Sequence, residues 1–529
     1  MRSRIYDSNL QDSFARLARD ADLEDGIIRP RESYTLVKQS ADPIVTIYEP
    51  SDLNGECLEL CCYDECVSAM PAPAGQCAGL TSLVVFPRYG EPYRQMIPGK
   101  ERKCLYVPAP TEAPIVNISS SGTLEEQDTR FYTYTWTDEF GIESPPAPPS
   151  QGVTLAEDGT VDLTGLMTAP TCACFINIYR TAPPFRDGAN PNLRPNETTW
   201  QLVATISVGA IGYTDNKPLR DACFGTLCTE DNCPPPAMCK VVETQHGYYV
   251  GFDGNNVYVS ERHEPHNWPE YNRITIEDRA VDIVDFYDTV FITTTGRPYQ
   301  LTIQPNQDGT TNIGQLPYPR IDPGFRDTLV RTAFGAVYAG SEGLVGLVPQ
   351  GSARNLTRDR ISPREWKTCR PHTMAWLNGK LYGFRPDNGS FVLDIHDTEN
   401  GSLEPGDFVY LSIPATTAIT GNKGEVYFTN NGAVYRLGGP IIPYSWESKH
   451  FTTPSNTMFT AAKVVSSGGP VRFRVWSGEK LIYDREIKTN KPLRLPRLRR
   501  HTDWRFRLDG LATVREVTLA TSIRELSRT

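Results

Sequence analysis

The sequence lacks the long apolar runs of membrane proteins and the short motifs of the common enzyme classes. No stretch of its 529 residues approaches the roughly 18–20 apolar residues needed to cross a bilayer. The N-terminus has no apolar signal core, so we expect synthesis and folding in the cytosol. A P-loop, a Gly-x-Ser-x-Gly elbow, a His-Glu-x-x-His helix and a dinucleotide fingerprint are all missing. These absences predict a protein that is not an enzyme and has no cofactor.

Positive charge is also scarce. The 53 Lys and Arg residues are outnumbered by 63 Asp and Glu, for a formal net charge of −10. Proteins bind nucleic acid tightly and non-specifically by neutralising phosphates with Lys and Arg. The composition therefore argues against such binding, although an acidic protein can still surround DNA without gripping it.

Histidine is rare, whereas cysteine is abundant for a cytosolic chain. None of the seven histidines precedes His246, and there are thirteen cysteines. The densest group comprises Cys57, Cys61, Cys62 and Cys66, and its C-x3-C spacing departs from the C-x2-C pairs of most zinc sites. We expect one local cluster of buried thiols or late-formed disulfides without a structural metal, and tetrahedral zinc is the alternative.

A second group of polar side chains, His263, Glu264 and His266, could in principle serve acid–base chemistry or bind a metal. Catalysis would require these residues to converge in a pocket with an oriented partner. They follow a predicted strand, and Pro265, Trp268 and Pro269 restrict the backbone around them. The segment is interpreted as a connecting loop between strands.

What the chain does contain is short β-branched and aromatic runs separated by turn residues. Its 41 glycines and 43 prolines cluster between these runs, which is typical of many short strands joined by turns. The length allows three or four domains of about 100–200 residues each. The sequence therefore predicts an all-β, multi-domain protein.

The only helical pattern is near the N-terminus, where Leu10, Phe14 and Leu17 recur at helical spacing and predict a short helical arm. Residues 115–230 contain strands at intervals that fit a small sandwich. The predicted divisions are an N-terminal arm with platform strands (1–50), a Cys-rich insert with strands joining the platform or propeller (51–114), a fibronectin III/Ig-like β-sandwich (115–230), a β-propeller (237–440) and a C-terminal basic β-sandwich (443–529).

Residues 237–440 carry a loose internal repeat with a period of about 40 residues, which is typical of β-propeller blades. Each unit has a central hairpin such as Leu-Asn-Gly-Lys-Leu. A sixth blade is expected from residues 80–110, which would make the sandwich an insertion. The five units found are 246–261, 282–303, 329–348, 373–395 and 415–437.

The last domain reverses the charge of the chain. Residues 443–529 hold 17 Lys and Arg against 8 Asp and Glu, a net charge of +9, so the remainder is near −19. The basic run contains Arg494, Arg497, Arg499 and Arg500, which we take as a candidate subunit interface. Charge complementarity between subunits favours this interpretation over phosphate binding, the alternative.

Several segments resemble bacteriophage tail tubular or nozzle proteins, the tail-tube components of short-tailed phages. The resemblance touches nearly the whole length but consists of loose patterns. They are DADLEDGIIRPR near the N-terminus, GIESP and IYRT in the predicted sandwich, VYVSE and NWP in the propeller, and YSWESKHF, LRLPRLRRHTDWRFRLDG and LATSIRELS at the end.

The resemblance implies a structural virion protein, a tail nozzle subunit whose homohexameric ring extends the DNA-ejection channel below the adaptor. The implied partners are other copies of the chain, the head-to-tail adaptor and tail fibre or tail-tip proteins, while phage DNA passes through without specific binding. The implied location is the virion tail, assembled in the bacterial host cytoplasm. The alternative is a propeller-based virion protein that binds or cleaves receptor glycans.

Overall fold

The computed structural model describes residues 15–23, 26–51, 60–73, 81–97, 101–125, 127–181, 200–217, 223–224, 227, 233–307, 310–350, 352–358, 360–387, 389–397, 403–496 and 500–526. Strands make up 56% of the structure and helices 3%, which confirms the all-β expectation. Within these ranges no helix is long and apolar enough to cross a membrane.

The chain divides into two compact units. Unit 1 combines Met1–Val67 with Ile276–Thr529, and unit 2 is Ser68–Thr275. Each unit contains four-stranded sheets with the strand order of propeller blades, together with a separate β-sandwich. The blades are numbered 1 to 6 in chain order.

Unit 2 contains two blades that share one apolar core, in which Phe86 and Trp268 meet edge to face with ring centroids 5.8 Å apart. The blade expected from residues 80–110 is present as blade 1, which begins earlier, at Val67. A short 3-10 helix, Glu270–Asn272, precedes the last strand of blade 2. Blade 1 consists of Val67–Pro71, Thr81–Pro87, Tyr93–Ile97 and Arg102–Cys104, and blade 2 of Val241–Glu243, Tyr249–Asp253, Asn256–Val259 and Ile274–Thr275.

The inserted sandwich of unit 2 lies between these blades in the sequence. Its buried core contains Tyr132, Tyr134 and Trp136, which alternate along one strand, and Ile176 and Ile178 on the paired strand. This period of two places the aromatic side chains on one face. The strands are Ile115–Ser120, Thr160–Thr164 and Gly212–Asp215 in one sheet, Tyr132–Thr137, Phe175–Thr181, Trp200–Ser207 and Cys223–Phe224 in a second, and the pair Gln127–Arg130 and Val153–Ala156.

Unit 1 contains four blades, and successive blades share apolar cores. Phe291 and Tyr338 belong to the core between blades 3 and 4, and Val337 and Leu381 belong to the core between blades 4 and 5. The bounds are Ala280–Phe286, Thr289–Thr294, Tyr299–Pro305 and Thr311–Pro317 (blade 3); Val330–Arg331, Ala336–Ala339, Leu344–Val348 and Ser352–Asn355 (blade 4); Thr373–Leu377, Lys380–Phe384, Ser390–Asp397 and Leu403–Leu411 (blade 5).

One helix, Pro363–Cys369, connects blades 4 and 5. It begins after Ser362, whose side chain accepts a hydrogen bond from the Glu365 backbone, and Pro363 occupies the first helical turn where no N–H is needed. In blade 5, the Asn378–Gly379 turn has positive φ at both residues (+49° and +79°), the conformation that joins two strands tightly.

Blade 6 is completed by the N-terminal part of the chain. Its strands are Thr417–Thr420, Val426–Asn430 and Ala433–Ile442, and the fourth is Arg29–Gln39, with the short strand Ala21–Asp22 beyond it. Leu36 pairs with Tyr435 across this junction. Nearby, the separate strands Thr46–Tyr48 and Cys61–Tyr63 pair with one another.

The predicted N-terminal helix is wrong where the structure describes it. Ala15–Arg19 is a strand, whereas residues 1–14 lie outside the described residues. This strand pairs with Tyr444–Ser448 on one side and with blade 5 on the other, where Arg19 lies opposite Tyr410. Pairing with two partners outweighs the local helical pattern, because tertiary context overrides propensity.

The C-terminal sandwich joins blade 5 through the strand Ala15–Arg19 in one ten-stranded sheet. Alternation along Val471–Ser477 directs Val471, Phe473 and Val475 into a core that also contains Trp504. A final helix, Ile523–Leu526, follows the last strand. The strands are Tyr444–Ser448, Phe451–Thr457, Ala461–Ser467, Val471–Ser477, Lys480–Ile487, Leu493–Arg494, His501–Gly510 and Thr513–Ala520.

Candidate subunit interface

The basic run predicted as an interface connects two strands of the C-terminal sandwich. Arg494 lies opposite Ala461 and is exposed, and Arg500 is exposed directly before the strand that starts at His501. Arg497 and Arg499 lie outside the described residues. Among the residues that the structure describes, no carboxylate forms an ion pair with Arg494 or Arg500. These two cations are therefore available to a partner.

Arginines on the neighbouring sheet are neutralised within the chain. Arg472 and Arg474 are held by Asp484 and Asp509, with N–O distances of 2.8 and 2.9 Å. Arg505 lies 2.8 Å from Glu447. The positive charge of the sheet is thus largely compensated, whereas that of Arg494 and Arg500 is not.

A mainly apolar groove of about 450 Å³ lies in the same sandwich. Phe459 lines the groove, and it lies in sequence between Thr457 and Ala461, which both pair with residues at the ends of the basic run. On one side Arg494 pairs with Ala461, and on the other His501 pairs with Thr457. The lining residues, called the C-terminal groove below, are Lys449, His450, Phe451, Thr452, Thr453, Pro454, Phe459, Phe506, Val517 and Leu519.

The N-terminal strand supplies one charged group near this groove. The Arg16 guanidinium lies 2.6 Å from His450 Nε2, and His450 Nδ1 lies 3.1 Å from Asp503. Because Arg can only donate, Nε2 accepts and the Nδ1 proton is donated to Asp503. This chain of hydrogen bonds fixes the orientation of His450 in the groove.

The predicted cysteine cluster is only partly described, because Cys57 lies outside the described residues. Cys61 and Cys62 are neighbours in one strand, so their side chains point to opposite faces. Cys62 packs against an apolar cluster, and Arg326 donates to Cys66 Sγ at 3.6 Å. In the described ranges no three His, Cys, Asp or Glu side chains are grouped so as to hold a metal ion. The expectation of one metal-free cluster stays a prediction.

The three polar residues of the 263–266 segment lie in a loop and make local contacts. His263 is exposed with a positive φ of +60°, and Glu264 accepts a hydrogen bond from Asn267 at 2.7 Å. His266 is half-buried; desolvation lowers its pKa, and the neighbouring Glu264 carboxylate partly opposes this shift. Trp268 donates its indole N–H to the Pro265 carbonyl and closes the loop. These contacts support the interpretation of the segment as a structural loop.

A group of thiols in unit 2 was not anticipated from the sequence. Cys104, Cys172 and Cys174 line a cavity of about 310 Å³. Burial raises the pKa of Cys172 to about 12, which disfavours the thiolate needed for nucleophilic chemistry. Beside them, hydrogen bonds to Glu101 and Glu139 raise the pKa of Lys103 to about 12. The Cys-Ala-Cys sequence at residues 172–174 indicates two neighbouring thiols, but no local pattern indicates that Cys104, distant in sequence, joins them.

Comparisons with known proteins give only remote structural similarity. No family model and no curated protein matches the chain. Among solved structures, the chain is similar to a streptogramin B lyase (10% identity, 61% of this chain and 97% of that chain, TM-score 0.22). It is also similar to Hsv2 of Kluyvelomyces marxianus (9% identity, 58% of this chain and 89% of that chain, TM-score 0.24). A third similar structure is the AfRom2 CNH domain (9% identity, 77% of this chain and 99% of that chain, TM-score 0.27). At these TM-scores the similarities carry no argument about function.

Proposed function

We propose that this chain is a structural subunit of a short-tailed bacteriophage tail, the nozzle or tail-tube component, which assembles into a homohexameric ring. The observation that carries the proposal is the exposed charge of Arg494 and Arg500, which no carboxylate of the described residues pairs, in the sandwich that also holds the C-terminal groove. Residues 443–529 carry a net charge of +9, whereas the rest of the sequence carries about −19. Such a chain is suited to bind copies of itself head to tail, and a heterologous contact of this kind can close into a ring.

The charge distribution also suits a channel for DNA. Lys and Arg contacts to phosphates would retain DNA through counterion release, so a conduit benefits from an acidic chain. Placing the basic domain against a neighbouring subunit removes most of its positive charge from the lumen. The DNA then passes during ejection without specific binding.

The remaining features of the proposal follow the resemblance to nozzle proteins. The ring lies in the virion tail after assembly in the bacterial cytoplasm. It extends the channel below the head-to-tail adaptor and attaches tail fibre or tail-tip proteins. The chain acts by assembly rather than by catalysis. Residues 263–266, the segment considered for catalysis, form a loop that the hydrogen bond from the Trp268 indole to the Pro265 carbonyl closes.

Native mass spectrometry and electron microscopy of the purified full chain test the ring. We expect a six-fold particle with an open lumen that dissociates as salt rises, because exposed charges are screened beyond about 8–10 Å at physiological ionic strength. A chain that stays monomeric at high concentration and low salt would contradict the proposal. A monomer that instead binds or cleaves host glycans would favour the receptor-binding alternative.

Charge reversal tests the interface itself. The double variant Arg494→Glu/Arg500→Glu is expected to lose the ring while the monomer stays folded, as judged by its circular dichroism spectrum. The matched control is Arg515→Glu, an exposed arginine towards the other end of the same sandwich, where Thr513 pairs with Ser467. If the control and the double variant assemble equally well, the basic run is not the interface.

A further inference from the structure

One end of the inserted sandwich exposes a set of large apolar side chains. Ile211 is 93% exposed and Ile115 is 58% exposed, and three further side chains are between 36% and 47% exposed. The set, called the apolar tip below, consists of Ile115, Met167, Phe175, Val208 and Ile211.

Strand register brings these five residues to the same end of the sandwich. In one sheet Ile115 pairs with Thr164, and Thr164 pairs with Gly212, the residue after Ile211. In the facing sheet Phe175 pairs with Ser207, the residue before Val208. The turn from Ser207 to Gly212 therefore connects the two sheets across the tip.

Met167 is fixed at this end by a hydrogen bond. Its backbone N–H donates to the Tyr134 hydroxyl at 3.0 Å, and that hydroxyl donates to the Glu112 carbonyl at 3.2 Å. The turn residues 208–211, Val-Gly-Ala-Ile, include no polar side chain. Exposed apolar side chains gathered in this way mark a binding surface more often than a solvated one.

We propose that the apolar tip of one copy inserts into the C-terminal groove of the next copy. This inference rests on the proposed ring and names the surfaces that close it. The groove offers apolar walls that include Phe451, Phe459 and Phe506. A second copy is the occupant because the two sandwiches have opposite charge. Residues 115–230 hold 14 Asp and Glu against 6 Lys and Arg, a net charge of −8, and residues 443–529 carry +9.

The rims of the two surfaces are complementary as well. Strand register places exposed Arg494 opposite Ala461, two residues after Phe459 of the groove, and exposed Arg500 directly precedes His501, which lies opposite Thr457. At the tip, the exposed residue Glu112 belongs to the segment that holds Met167. Charge complementarity around an apolar contact directs orientation and speeds association, and the apolar centre adds affinity to that of the charges. One tip and one groove per subunit give a head-to-tail contact.

Substitution at the centre of the tip tests this contact in the full chain. Ile211→Asp leaves the sandwich folded because the side chain is 93% exposed. We expect the subunit concentration at which half of the rings dissociate to rise by about tenfold or more, as for other central apolar contacts. The matched control is Ile441→Asp in blade 6, where the side chain is 60% exposed. Native mass spectrometry over a dilution series measures both.

Photo-cross-linking identifies the surface that the tip contacts. A benzophenone amino acid at position 211 is introduced into a mixture of nitrogen-14 and nitrogen-15 subunits, so that cross-links between copies have mixed isotopes. Mixed cross-links to peptides that contain residues 449–459, Phe506 or residues 517–519 of the C-terminal groove are the expected result. Rings that persist in Ile211→Asp as in the control, or cross-links to other segments, overturn this inference and leave the ring in place. Absence of any oligomer in the unmodified chain overturns both proposals.

Discussion

The two sandwiches of this chain use charged residues in opposite ways. In the inserted sandwich, Arg180 and Asp215 form an ion pair of 2.9 Å in which both side chains are fully buried, and Tyr132 donates to the same carboxylate at 2.8 Å. In the C-terminal sandwich, the pairs lie along the outer face of a sheet, where Arg472 remains 57% exposed. A buried pair constrains the interior of one domain, whereas an outer ladder leaves neighbouring charges available for partners.

The largest effect is expected from breaking the buried pair. Asp215→Ala removes the carboxylate that the Arg180 guanidinium and the Tyr132 hydroxyl share in the core, and the charge of Arg180 is then no longer neutralised by Asp215. Removal of one member of a buried pair costs about 3–5 kcal/mol of unfolding free energy. Hydrogen exchange should therefore accelerate in the strands Tyr132–Thr137 and Phe175–Thr181, and not in the C-terminal sandwich.

The control for this variant removes both charges. Arg180→Met/Asp215→Leu should restore much of the protection, because replacing a buried pair by apolar side chains is often neutral. Unchanged exchange in Asp215→Ala would show that the buried pair does not distinguish the two sandwiches.

A smaller effect is expected for Glu447, the least exposed acidic group of the ladder. It accepts a hydrogen bond from Arg505 at 2.8 Å, and its side chain is 11% exposed. Glu447→Gln should cost about 1.5–3 kcal/mol, the range for hydrogen bonds to charged groups. Hydrogen exchange of Tyr444–Ser448 and His501–Gly510 measures it. Glu479→Gln at an exposed position is the control. An equal effect of this variant would show that the ion pairs of Glu447 contribute no more than an exposed glutamate does.

The smallest expected effect is a difference in pH dependence. Burial raises the pKa of Asp138 in the inserted sandwich above its ordinary 3.8, while the Arg472 hydrogen bonds lower that of Asp484 in the C-terminal sandwich. The folded state binds more protons at Asp138, so its contribution is present at low pH and is lost as pH rises through the raised pKa. At Asp484 the contribution is present above 3.8 and is lost as pH falls.

Local hydrogen exchange between about pH 3 and 6, a window around the ordinary aspartate pKa, checks these opposite slopes. Asp138→Asn should flatten the dependence in the inserted sandwich only, and Asp484→Asn should flatten it in the C-terminal sandwich only. Slopes of the same sign in both domains would mean that burial does not govern Asp138.

Local patterns predicted much of the fold. The alternation of Val471, Phe473 and Val475 with arginines predicted a strand with one buried face, which the structure has. The Asn378–Gly379 dipeptide predicted a hairpin, and the two strands that flank it pair. Both signals act over a few residues, so they can be read without knowing the partner strands. The predicted interface residues Arg494 and Arg500 were exposed for a related reason, since a basic run interrupted by prolines seldom enters a core.

The sequence by itself determined an all-β protein with blade-like hairpins, an inserted sandwich and a basic C-terminal domain. Only the tertiary structure decided that Arg29–Gln39 completes blade 6 and that Ala15–Arg19 is a strand. The same holds for the apolar tip, which residues far apart in sequence form together. Strand pairing over hundreds of residues depends on backbone groups that every sequence shares, so local propensity cannot specify it.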